Sequence, residues 1–115
     1  MTPEQRTNTR VILSMSCNFG PNKDTPRSGT VTSISVLGCF VKTKGWATKG
    51  QIMHLRLWLP EGQWLKLKGT VIYHMERIGF GLTFDELNSD DEMKIKEVVS
   101  QAKAESSNSS GQPSS

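Results

Sequence analysis

The sequence has little of several things, and each shortage excludes something. It has two cysteines, Cys17 and Cys39, far apart and with no C-x-x-C pair, so neither a zinc site nor a disulfide framework is expected and both are read as reduced thiols. No run of eighteen apolar residues occurs, which rules out a membrane-spanning helix. No apolar stretch follows a basic start, so no signal peptide is expected, and the chain is placed in the cytoplasm. Histidines number two, His54 and His74. There is no Gly-x-Ser-x-Gly elbow, no His-Glu-x-x-His and no phosphate-binding Walker loop, and the acidic residues gather where a helix should begin. An enzyme is not expected. Hydrophobic residues make up 35% of the chain, and the polar ends account for much of the deficit.

What remains is one domain's worth of chain. The 115 residues divide into a flexible segment 1–8, a folded unit 9–104 and a serine-rich tail 105–115 expected to be disordered. A formal charge of +3 favours an anionic partner without naming it.

The middle of the sequence alternates with period two, as half-buried strands do. Val11, Leu13 and Met15 share a face over 9–16, and NFGPNKDTPR, between Cys17 and Ser28, reads as a loop. Further strands are expected at 29–35 and 38–43. In 51–60, Met53, Leu55, Leu57 and Leu59 oppose His54, Arg56 and Trp58. In 64–75, Leu65, Leu67, Val71, Tyr73 and Met75 share a face, with a bend or bulge expected at Gly69. In 77–84, Ile78, Phe80, Leu82 and Phe84 point inward. Six short antiparallel strands favour an all-β closed barrel, because closure removes exposed edges. A C-terminal α-helix over 88–104 then buries Ile95, Val98, Val99 and Ala102, and Ser89-Asp90-Asp91-Glu92 has the form of a capping box.

Three features could bind a ligand. Arg6 and Arg10 form R-x-x-x-R at the start of the first strand. Guanidinium forks bind phosphate bidentately, stack on purines and pair with the O6/N7 edge of guanine. The plainer alternative is two solvated side chains. Ser33-Ile34-Ser35-Val36-Leu37-Gly38 is either an ordinary turn, with Gly38 supplying an unusual backbone angle, or part of a site. Trp46, Trp58 and Trp64 could stack on bases or simply pack. With Lys42, Lys44, Lys49, Lys66 and Lys68 they could also serve single-stranded nucleic acid, but these lysines are dispersed and read better as solvated surface, so a nucleic-acid polymer is not the expected partner.

Taken together, Arg6-Thr7-Asn8-Thr9-Arg10 and Ser33-Ile34-Ser35-Val36-Leu37-Gly38 resemble the two motifs of the PilZ family, R-x-x-x-R and [D/N]-x-S-x-x-G. The resemblance continues through the L-x-L strands, the G-T-V-I strand, GFGLTF and the last helix. It implies a six-stranded split-barrel fold with a C-terminal helix that binds cyclic di-GMP and signals to a protein partner, with motility and biofilm formation as outputs. No cofactor or metal is implied. Carried over, Arg6 and Arg10 contact phosphates and guanine edges, Ser33 takes the base-reading place, Ser35 bonds the ligand, and Gly38 lets the backbone pass beneath it. Ser33 stands where the family has Asp or Asn, and Gln5 where many members have a further Arg. The same resemblance admits a degenerate domain that binds no nucleotide and acts through protein contacts, as in type IV pilus systems.

Overall fold

The structure is a computed structural model and describes residues 10–111, with side chains to Ala104. Its elements are β1 (Val11–Gly20), β2 (Arg27–Ile34), β3 (Gly38–Lys42), β4 (Ile52–Trp58), β5 (Trp64–Met75), β6 (Gly79–Phe84) and α1 (Ser89–Gly111). Every strand pair is antiparallel, and the order β1-β2-β3-β6-β5-β4 closes on itself through β1 and β4. The expected six-stranded barrel with one C-terminal helix is therefore what the chain forms.

Alternation fills the barrel as the period-two pattern requires. Met53, Leu55, Leu57 and Leu59 are buried on β4 and just beyond it, while His54, Arg56 and Trp58 face outward. Phe19 and Phe80 meet edge to face at 5.2 Å between ring centres in the interior. Aromatic pairs in this geometry add about 0.5–1.5 kcal/mol beyond the area they bury.

Several sequence expectations about the strands are corrected. β1 does not stop at Ser16. It continues through Gly20, and Cys17 and Phe19 carry on the inward series begun by Val11 and Met15. The extension exists because Cys17–Gly20 pair with His54–Leu57, a partnership more than thirty residues distant in the chain. On β5 the bulge lies at Ile72, where the register slips between Val71 and Tyr73, rather than at Gly69. One extra residue reverses the facing of everything after it, so Tyr73 and Met75 are exposed. Gly69 serves close approach instead: a Cβ there would collide with the Thr83 carbonyl and the Leu82 side chain. Ile78 is also exposed, because it sits in the turn between β5 and β6.

The helix is capped by Asn88, not by a box at Ser89. Asn88 Oδ1 accepts from Asp91 N at 2.8 Å, and its carbonyl accepts from Glu92 N at 2.9 Å. Both residues are good caps in sequence, and backbone geometry selects the earlier one. Asp90, Asp91 and Glu92 occupy the first turn, favourable against the helix dipole. Ile95, Val98 and Ala102 are buried, as their spacing predicts, and Met93 stays exposed. The helix extends past 104 to Gly111, into the stretch expected as disordered tail.

Both cysteines are free and buried. Burial pushes the Cys17 thiol from 9.0 up to about 12, and desolvation raises Cys39 as well. A raised folded-state pKa means stability that is complete below pH 9.0 and lost as the pH climbs toward about 12, since only the unfolded chain ionises there. Urea unfolding between pH 8 and 11 should thus show a falling midpoint, with Cys17→Ala flattening the fall. An equally steep fall in that variant would remove Cys17 from the account.

Candidate functional site

The two sequence motifs reach one end of the barrel by different routes. Arg10 precedes β1 directly, and the β1–β2 register sets Val11 against Ile34 and Ile12 against Ser33. This places the Arg10 side chain beside the end of β2, where Nη1 donates to Ser33 Oγ at 3.1 Å. Residues 23 positions apart in sequence, one from each motif, are in direct contact. Arg6 lies outside the described residues.

Ser33 and Ser35 are both buried, although strand alternation separates positions two apart from their neighbour Ile34, which is buried too. A register slip between Val31 and Ser33 on the β2–β3 ladder lets consecutive residues turn inward here. Ser35 then closes the turn into β3. Its oxygen accepts from Leu37 N at 3.1 Å, and its amide donates to the Gly38 carbonyl at 2.9 Å. A hydroxyl that accepts in this way still has its proton to donate. The turn is pinned from outside by Phe84 N, which donates to the Leu37 carbonyl at 2.8 Å.

Gly38 has a different reason from the one expected. The described glycines with positive φ are Gly50, Gly62 and Gly79, so no unusual backbone angle is required at Gly38. Its constraint is proximity: a Cβ there would run into the Leu82 carbonyl of the neighbouring strand. Gly38 pairs with Thr83, and the close β3–β6 approach at that rung holds the turn in place.

The tryptophans do not join this site. Trp46 follows β3, at the far end of β2 from Ser33. Its ring lies 4.4 Å from His74, and its carbonyl accepts from Arg27 at 3.3 Å. Trp58 and Trp64 face each other across the β4–β5 hairpin at 4.9 Å. Among the described residues no cluster of three His, Cys, Asp or Glu side chains could hold a metal, and no helix is long and apolar enough to cross a membrane. Sequence reasoning missed the direct Arg10–Ser33 bond. The register that makes it is visible in sequence only as two alternating runs of unknown pairing.

A small closed barrel with a C-terminal helix, and an arginine entering β1 beside a Ser-x-Ser-x-x-Gly turn, define the class of fold to which the chain belongs. The sequence matches the PilZ domain family over residues 4–101, and the chain belongs to that family. PilZ domains are receptor and adaptor domains, not enzymes. The fold is similar to three solved structures. The Bacillus subtilis inhibitor of motility MotI/DgrA has a TM-score of 0.72 at 15% identity, covering 88% of this chain and 52% of that one. The PilZ domain of CeSA, from a cellulose-synthesizing bacterium, has 0.62 at 19%, covering 79% and 94%. MrkH from K. pneumonia has 0.69 at 16%, covering 95% and 53%. The chain thus spans about half the length of MotI and of MrkH. No curated protein matches its sequence.

Replacing Gly38 by Ala should unfold or weaken the barrel by about 1–3 kcal/mol or more, the usual cost of forcing atoms into a packed place. Chemical denaturation reads this directly. A Gly38→Ala protein as stable as the parent would show that the Leu82 contact does not govern this residue.

Proposed function

We propose that the protein is a cyclic di-GMP receptor that passes ligand occupancy to a protein partner. The observation that supports this best is the Arg10–Ser33 contact beside the Ser35–Gly38 turn. A guanidinium held there offers a planar fork to phosphate oxygens or to the O6/N7 edge of guanine. Arg6, four residues upstream, supplies a second guanidinium for a ligand carrying two phosphates and two guanines. Ser33 Oγ faces the same space, and the Ser35 proton remains available to an acceptor. In this reading, binding draws the arginine-bearing segment against the barrel and changes the surface a partner meets. The reading places the protein in the bacterial cytoplasm.

Ser33 gives weight to a second reading, a PilZ domain that acts by protein contact without nucleotide. A carboxylate at this position accepts from both N1–H and N2–H of a guanine, whereas a hydroxyl accepts less directionally. The missing charge-assisted bond corresponds to roughly 1.5–3 kcal/mol, about ten- to a hundredfold in affinity.

Calorimetric titration with cyclic di-GMP separates the two. Saturable heat that disappears in Arg10→Ala supports the receptor. The absence of heat and of amide shift changes at millimolar ligand would leave the protein-contact reading. Ser33→Asp should tighten binding by about tenfold or more, and an unchanged or weaker affinity would show that Ser33 does not read the base.

A further inference from the structure

The outer surface of the β4–β5 pair carries a feature built differently from the motif site. Register sets His54 opposite Lys68 and Arg56 opposite Lys66, with all four side chains on the outward face. Arg56 and Lys66, both charged and directly opposite one another across the ladder, repel, and Lys68 adds a third cation two residues along β5. Acids line the same trough but none is in contact with them: among the described residues the ion pair is Glu92–Lys96, on the helix.

These four residues floor a trough of about 440 Å³. Topology fixes its two sides. Gly20 pairs with His54, so the loop carrying Lys23 and Thr25 borders β4, whereas Asp85 N donates to the Lys68 carbonyl at 2.8 Å, so Asp85, Glu86 and Leu87 border β5. Two acids on that side already have roles. Asp85 accepts from the Thr70 hydroxyl at 3.2 Å, and Asp91 stands in the first turn of α1. Arg56 is partly occupied, lying 4.7 Å over the Trp64 ring and donating to Asn18 Oδ1 at 3.0 Å once that carboxamide is turned to face it. Its Nε, like Thr25 Oγ1, is buried without a partner. Among the described residues the Lys66 and Lys68 ammonium groups make no ion pair, and both side chains are exposed.

We propose that this trough receives an extended, acidic segment of a protein partner. Side chains two apart on a strand repeat every 6.6–6.8 Å or about that, and an extended partner chain has the same repeat. Alternate acidic residues of such a segment fall over the Arg56–Lys66 rung and then the His54–Lys68 rung. A compact phosphate reaches one rung only, whereas an extended segment reaches both. The carboxylates along the β5 side keep an acidic segment over the Arg56 and Lys66 side of the trough. The trough shares no lining residue with the Arg10–Ser33 site, although Asp85 on its border follows Phe84, whose amide holds the Ser35–Gly38 turn.

The test uses the whole protein, isotope-labelled, and a synthetic peptide alternating Glu with Val. Amide shifts should concentrate at 54–56 and 66–68, Trp64 emission should change, and the affinity should fall as salt rises. The Lys66→Gln/Lys68→Gln protein should bind roughly tenfold more weakly. Lys66→Gln alone should raise the urea midpoint, because it removes a like-charge rung. Arg10→Ala should bind the peptide as the parent does, so failure here and failure of the nucleotide reading are told apart. The proposal is overturned if a peptide with Gln for Glu binds equally, if shifts map elsewhere, if the lysine variants leave affinity unchanged, or if tripolyphosphate competes at the same residues more tightly than the peptide.

Discussion

The ladder between β1 and β4 is the contact on which the rest of the molecule depends. Pairing Cys17–Gly20 with His54–Leu57 closes the sheet, and only a closed sheet buries Phe19 against Phe80. An open version of the same six strands would expose the backbone edges of both β1 and β4. Closure also fixes where the N-terminal arginine arrives. With the far end of β1 tied to β4 and its near end to β2, Arg10 arrives beside the end of β2, where it bonds Ser33. The motif site is thus a consequence of barrel registration as much as of the residues in it.

Within the barrel, local irregularities do most of the positioning. The slip near Thr32 turns Ser33 and Ile34 inward in succession, and the close approach of Gly38 to Leu82 seats the turn that Ser35 closes. The bulge at Ile72 works in the other direction, bringing Tyr73 and Met75 to the surface. Each irregularity is a single residue. Each changes which side chains a ligand or partner meets, because the period of a strand is two and any odd insertion inverts its faces.

The two sites, as proposed, have different physical characters. The motif site is narrow and directional, made from one guanidinium, two hydroxyls and a backbone turn. The trough is broad, and its attraction comes from repulsion among its own cations that an anionic partner relieves. Such a division would suit a domain with little room, the proposed nucleotide recognised by geometry and the proposed protein segment by charge.

Much of this was legible before folding. The leucine alternation of 53–59 marks β4 and its inward face, the spacing of Ile95, Val98 and Ala102 marks the buried stripe of the helix, and the paired motifs mark the family. Those features are local, or depend only on residue order, and so survive in one dimension. Tertiary structure alone decided that β1 runs on to Gly20, that the β5 bulge falls at Ile72, and that Arg10 bonds Ser33. Each of these depends on which strand or turn lies alongside, and partnership between distant segments is set by closure and packing of the whole barrel, not by the composition of either segment.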